Sequence, residues 1–284
     1  MKNVVRREGL TVSDLSVEYP AHGASAACVA LRGVSLVVRP GEIVGLLGES
    51  GSGKSTLAKV LSGRASDAYA GDVAPRITGG EATVAGFAMR RLSRRKRPEL
   101  TFHVGYLPQD AASRLPSSQT VSEIIAGPIF DRDKHYNRQA VGQRVALLVD
   151  AMRLPLKILK SYPYELSGGQ RQRVAIARSL VLGPSVLIAD EPTAGIDVTV
   201  RDAVVDVLGG LAQEGGFSAL VISHDATVLR GVTTRVAVVQ RGKLVGLGPF
   251  DELLASPEHP YVESLAQAFA GSHNDEPAPG RMES

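Results

Sequence analysis

Two stretches of the sequence gather the residue types that handle a polyphosphate. The first is GESGSGKST, residues 48–56, which follows the apolar run EIVGLL and carries the spacing Gly48-x-x-x-x-Gly53-Lys54-Ser55. Gly48, Gly51 and Gly53 can take backbone angles closed to other residues, so successive N–H groups can converge on an anion. Lys54 supplies a positive charge for the outer phosphates and Ser55 a hydroxyl for a magnesium ion, while a helix beginning near Lys54 points its positive end at the same place. A glycine-rich turn with an incidental lysine is the plainer alternative, and the strand-loop-helix context on both sides argues against it. The second stretch is SVLIADEP, residues 185–192, four apolar residues of a buried strand that runs into Asp190 and Glu191. Side chains alternate along a strand, so the two acids can face different tasks. Asp190 can hold magnesium through its water shell, and Glu191 can orient and deprotonate a water aimed at a γ-phosphate. Two acids that merely end a strand at the surface are the alternative, which a phosphate loop upstream in the same sheet disfavours.

A third stretch, YELSGGQRQRVAIARSL at 164–180, sets Ser167, Gly168 and Gly169 at the start of an amphipathic helix. SGG before a helix is an ordinary N-cap. It also offers backbone amides and a helix N-terminus to an anion, as the first stretch does.

The elements that must position these residues follow from hydrophobic periodicity. LTVSDLSVEY, VSLVV and EIVGLL read as strands separated by turns such as RPGE. After the first helix come EATVAGF and a basic stretch, RRLSRRKR, at 90–97. That stretch reads first as a solvated loop or helix face, and alternatively as a contact for anionic lipid headgroups or nucleic acid. From 120 to 163 the pattern is helical, with Val141, Val145, Leu148 and Met152 at helical spacing. Beyond it QRVAIARSLVL and VRDAVVDVLGGLA read as helices and SVLIAD and SALVIS as strands. Such alternation predicts a parallel sheet with helices on its faces and a helical segment inserted in the middle.

Bulk properties bound the function. The 284 residues suit one large domain or two small ones, and 44% apolar content suits an ordinary core. A net charge of +3 leaves nucleic acid or anionic membrane as neighbours without arguing for either. One cysteine, Cys28, excludes an internal disulfide framework and a zinc cluster built on several cysteines, and fits a reducing compartment. No stretch approaches the roughly 18 uninterrupted apolar residues of a membrane span, and MKNVVRREGL lacks the apolar core of a signal peptide. The chain is therefore expected in the cytosol, reaching a membrane only by docking on another protein. Residues 271–284 are polar and aperiodic and are expected to be disordered.

A phosphate loop, then LSGGQ, then a strand ending in Asp-Glu is an order that resembles the ATP-binding-cassette ATPases, over residues 10–270. The resemblance implies an α/β P-loop NTPase with a RecA-like parallel sheet core, an antiparallel β subdomain and an inserted helical subdomain at about 110–165. It implies one nucleotide-binding domain over 1–270. It makes Gly48, Glu49, Ser50, Gly51, Ser52, Gly53, Lys54, Ser55 and Thr56 the Walker A loop, Leu166, Ser167, Gly168, Gly169 and Gln170 the signature motif, and VLIADEP the Walker B strand. Gln109 in GYLPQD resembles the glutamine that touches magnesium and senses the membrane partner. His224 in ALVISHD resembles the switch histidine on the γ-phosphate, and Tyr19 in VEYP an aromatic that stacks on adenine. ATP and Mg2+ are thus implied, with Ser55, Gln109 and Asp190 on the metal and Glu191, His224 and Gln109 in catalysis.

Partners are implied as well. In the family the Walker loop of one subunit and the signature turn of another close on the same ATP, so a second ATPase subunit, identical or paralogous, is expected. Transmembrane permease subunits would dock near DAASRLPSSQTVSEII, with a solute-binding protein engaged indirectly, at the cytoplasmic face of the inner membrane; nucleic acid is not expected. YPYELSGGQRQRVAIARSL and SPEHPYVESLAQA resemble the branch that imports peptides or nickel. Relatives often continue into a cysteine-rich tail; this chain has no cysteine there, so no iron–sulfur cluster is inferred. Two departures stand out. AGID at 194–197 keeps Asp197 but places Gly195 before Ile196, expected to loosen communication between sites while sparing activity, and the proline that often follows QD in the importer branch is missing. The competing readings are a soluble cassette protein acting on nucleic acid or ribosomes, and an exporter subunit.

Overall fold

The computed structural model describes residues 9–23, 26–65 and 73–271. Two sheets form its frame. The smaller one is antiparallel, with β1 (Leu10–Tyr19) between β2 (Cys28–Val38) and β4 (Arg76–Val84), and the short β5 (Phe87–Ala88) on the outside. β1 alternates inward Leu10 and Val12 with outward residues, slips at Asp14 (φ +49), and resumes inward with Leu15 and Val17. The register shift between Val12 and Leu15 against β2 is the mark of that slip. At the far end of the pair Cys28 lies exposed directly across from Tyr19.

The larger sheet runs β10-β9-β3-β8-β7-β6. β3 (Ile43–Leu47), β6 (Val104–Leu107), β7 (Val186–Asp190), β8 (Ser218–Ile222) and β9 (Arg235–Gln240) pair in parallel, and β10 (Lys243–Gly248) closes one edge antiparallel. β3, β7 and β8 are buried at every position, as parallel strands covered on both faces must be. Leu10, Val12, Leu15 and Val17 of the small sheet share one core with Val44, Leu46, Ile188, Leu220 and Ile222 of the large one, so the two sheets pack as one body.

The opposite face and the insert hold α3 (Val121–Phe130), α4 (Arg138–Ala151) and α5 (Gly168–Leu180), whose inward residues join Leu187 and Ala189 of β7. α3 starts in a capping box, Thr120 with Glu123. In α4 the buried stripe is Val141, Val145 and Val149, followed by Met152; Leu148 is only half buried, one position off the expected row. α1 (Lys54–Leu61) and α2 (Arg97–His103) lie between the sheets' connections, and α6 (Val198–Gln213) and α7 (Ala226–Val232) flank β8. α8 (Phe250–Ala255) and α9 (Pro260–Gly271) pack Phe250 and Val262 on Leu47, Val236 and Val238. The β9-β10 hairpin and α7 are elements that periodicity did not single out. The basic stretch 90–97 begins in a short 3₁₀ turn at Met89–Arg91 and leaves Arg90, Arg91, Arg94, Arg95 and Lys96 exposed. Residues 272–284 of the expected tail lie outside the described residues. Among the described residues no helix is long and apolar enough to cross a membrane.

Candidate functional site

The phosphate loop leaves β3 at the carboxyl end of the parallel sheet and enters α1 at Lys54. Two of its glycines are required by space. A Cβ on Gly48 would stand 2.2 Å from the carbonyl oxygen of Val239, and one on Gly53, already at φ +105, would stand 2.5 Å from that of Ala30. Ser52 is buried and its carbonyl accepts from the N–H of Gly242 at 3.0 Å, so the loop is also pinned to the β9-β10 turn. Glu49, Ser50, Gly51 and Ser55 remain exposed. Lys54 folds back over the loop and donates from Nζ to the carbonyls of Gly48 (2.7 Å) and Glu49 (2.8 Å). Burial pushes its ammonium pKa down, while Asp190, Glu191 and Glu49 pull the other way.

Ser55, Asp190, Gln109 and Tyr19 line one cleft of about 960 Å³. Asp190 ends β7 with 4% of its surface exposed. Burial raises its carboxyl above the usual range, opposed by a hydrogen bond from Ser55 and by the charges of Lys54 and Lys59. The hydroxyl of Ser55, the carboxylate of Asp190 and the amide of Gln109 in this cleft include hard oxygen donors, a set that suits magnesium held jointly with substrate phosphates. Among the described residues no cluster of three His, Cys, Asp or Glu side chains is positioned to cage a metal by itself. Tyr19 hydrogen-bonds through Oη to Oγ1 of the buried Thr56 at 3.1 Å, tying the small sheet to α1.

Glu191 makes the exit from β7 in a left-handed conformation, φ +54, with its N–H donating to the carbonyl of Ile222 at 2.9 Å. Its Oε1 lies 2.9 Å from Nδ1 of His224, on the loop after β8. The carboxylate is 12% exposed and the imidazole 85%. Gln172, in the second turn of α5, holds this exit from behind: its Nε2 donates to the carbonyls of Glu191 (3.2 Å) and Pro192 (3.1 Å). At 1% exposure it is a buried amide whose donors are answered by the backbone that carries Glu191. Neighbouring Arg173 donates to the carbonyls of Met152 and Arg153 and anchors α5 to the insert. Sequence reasoning missed both, since a polar pair in an amphipathic helix reads as its wet face.

The turn at 166–170 is built differently. Ser167 caps α5: its Oγ accepts from the N–H of Gln170 at 3.2 Å, and Gln170 Oε1 accepts from the N–H of Ser167 at 2.9 Å. Leu166 is buried while its carbonyl accepts from Arg171 Nη1. Gly168 faces open space. None of residues 166–170 lines the cleft of Ser55 and Asp190. Gly195, the departure noted in AGID, sits at φ +70, a conformation that favours glycine, and its carbonyl lies 3.0 Å from where a Cβ on Gly169 would stand.

Comparison with known proteins bears on this arrangement. The profile of the ABC transporter family matches residues 31–194. The oligopeptide transport ATP-binding protein OppF of Lactococcus lactis subsp. lactis (strain IL1403) is 33% identical over 267 residues, which span 92% of this chain and 80% of that protein. OppF of Salmonella typhimurium is 35% identical over 239 residues, 84% of this chain and 69% of that one. The solved dimeric ATP-binding cassette MJ0796, in a post-hydrolysis state with ADP and Pi, superposes with a TM-score of 0.74 at 26% identity, over 85% of this chain and 98% of that one.

Proposed function

The chain belongs to the ABC transporter family, and on that premise we propose that it is the ATP-hydrolysing subunit that powers import of a small solute, a peptide, nickel or a metal chelate, through a membrane transporter. Its fold is that of an ABC-type P-loop ATPase cassette. The observation that carries the reading is the single cleft that gathers Ser55, Gln109 and Asp190 at the mouth of the phosphate loop. The nucleic-acid alternative has only the exposed arginines and lysine of 90–97 behind it, and the relatives named above are transport proteins.

In this reading the loop amides of 48–56 take the β- and γ-phosphates, and Lys54 turns its ammonium from the Gly48 and Glu49 carbonyls toward them. Ser55, Asp190 and Gln109 would hold magnesium, which neutralises charge on the phosphate oxygens. Glu191 aligns the attacking water and takes its proton on the carboxylate, with His224 fixing the direction of Oε1. Water adds to the γ-phosphorus, the bond to the β-phosphate oxygen breaks, and ADP and phosphate leave. Tyr19 stacks on adenine, and its bond to Thr56 keeps that platform in register with α1. Leu166, Ser167, Gly168, Gly169 and Gln170 serve the ATP of a facing cassette, so nucleotide closes a dimer and hydrolysis releases it. Gln109 and the segment after it face the permease, which places the protein peripherally at the inner membrane. The nucleotide-binding domain is taken as 1–270 with its helical insert at about 110–165, followed by a tail at 271–284.

The test is turnover of the subunit assembled with its permeases. The wild-type complex should hydrolyse Mg-ATP faster than the subunit alone. Glu191→Gln should retain ATP, hold the dimer closed and lower kcat by about 10²–10³. Turnover at the wild-type rate would remove Glu191 as the base, and absence of stimulation by the permeases would remove the transport role.

A further inference from the structure

His224 presents a puzzle of support. Its ring is 85% exposed, yet it stands within hydrogen-bond distance of Glu191. An exposed side chain with one polar contact keeps most of its rotamer freedom, so the backbone beneath it must set its direction. That backbone is held on both sides. Ser223, at 2% exposure, accepts through Oγ from the N–H of Asp225 at 3.1 Å. Asp225 accepts through Oδ1 from the N–H groups of Thr227 (2.9 Å) and Val228 (3.2 Å), starting α7. Its other oxygen, Oδ2, is paired with Nη1 of Arg201, at side-chain exposures of 19% for the aspartate and 31% for the arginine. A partly buried, charge-assisted bond of this kind is stronger than a surface pair.

Arg201 has a second engagement. Its Nε donates to the carbonyl of Ile196 at 3.1 Å, and Ile196 is a buried member of the AGID turn. That turn is the one whose Gly195 carbonyl rests against Gly169. A continuous path of contacts therefore runs from the 166–170 turn through Gly195 and Ile196 to Arg201, then Asp225, His224 and Glu191. We infer that Arg201 is a positioning residue: it senses where the AGID turn lies, and with it this chain's own signature turn, and sets the pose of His224 against Glu191 accordingly. The inference rests on the proposed function, in which residues 166–170 grip the ATP of the facing molecule. Arg201 then makes each cassette's own hydrolytic pair responsive to the nucleotide bound across the dimer, a two-state coupling carried by one guanidinium.

Two measurements test it. In the full chain labelled with ¹⁵N, Arg201→Met should shift the imidazole nitrogen resonances of His224 while Arg201→Lys, which keeps the charge opposite Asp225, should shift them less. In the assembled transporter, Arg201→Met should lower kcat about tenfold with KM for ATP held within roughly twofold, and should weaken the cooperativity of hydrolysis in ATP. Asp225→Asn retains the Oδ1 acceptor of the α7 cap and should give the same loss, with the double variant no worse than either single one. A merely structural arginine would lower the melting temperature while leaving the His224 resonances and kcat of the folded protein in place. Either unchanged resonances or unchanged kcat overturns the inference. Failure of the wild-type complex to hydrolyse ATP would instead overturn the proposed function, and the His224 resonances would still decide the role of Arg201.

Discussion

The two helix N-termini to which the proposed function assigns phosphate are closed in opposite ways. The N-cap of α1 is Gly53, with no side-chain acceptor for the first amides. The start of α5 is closed by a reciprocal box between Ser167 and Gln170. The first four N–H groups of any helix lack intrahelical partners, so α1 leaves this charge for a ligand while α5 answers part of it internally. The phosphate loop is instead shaped by its surroundings, since Gly48 and Gly53 are wedged against the Val239 and Ala30 carbonyls. At the 166–170 turn only Gly169 meets such a wall, the Gly195 carbonyl, while Gly168 faces open space. In the proposed function, the half-site that takes this chain's own ATP is built into the sheet, and the one that serves the facing molecule carries its own stabilisation.

Substitutions at the two turns should therefore fail differently. The largest effect is expected from Gly168→Leu, because a Cβ there meets nothing and the fold accepts it. Turnover in the assembled transporter should drop by about 100-fold while the isolated subunit binds ATP and melts as the wild type does. Equal turnover would break the contrast, since the bulky turn would then be as good a lid. Lys54→Ala acts on the other half-site, and an equilibrium titration of the isolated chain should show ATP affinity reduced by about 10–100-fold. Asp190→Asn separates stability from chemistry. Burial raises the Asp190 pKa in the folded state above 3.8, so its stabilising share is full below that pH and is lost as pH rises through the higher folded value. The Asn variant should lack that decline and melt roughly a few degrees higher at neutral pH, while hydrolysing ATP more slowly than the wild type. The smallest effect is expected for Ser167→Ala, which removes one arm of the box and should cost about 1 kcal/mol in chemical denaturation.

Much of this was legible because the signals are local. The run EIVGLL followed by Gly48 and Lys54 carries strand, turn and helix within a few residues, and SVLIAD announces β7 by composition alone. SGG before an amphipathic run foretold the Ser167 cap. What stayed hidden depends on contacts between distant segments. Gln172 reads as a polar position in a helix, and only the fold brings it beneath the carbonyls of Glu191 and Pro192. Arg201 reads as helix surface until α6 is laid beside Asp225. The fit of Gly169 to Gly195 has no periodicity at all, and neither has the order in which parallel strands are laid down, with β3 between β9 and β8. Leu148 was read at helical spacing with its neighbours, and in the fold Val149 takes the fully buried place while Leu148 packs half-buried at the edge of the same core.

Cys28 is the only thiol in the chain, and it stands on the strand partner of Tyr19. A maleimide fluorophore would couple at that one position without any residue being replaced first. If Tyr19 takes the adenine as proposed, the fluorophore's emission should change when ATP binds, on a molecule whose residues 48–56, Asp190, Glu191 and His224 are all as encoded.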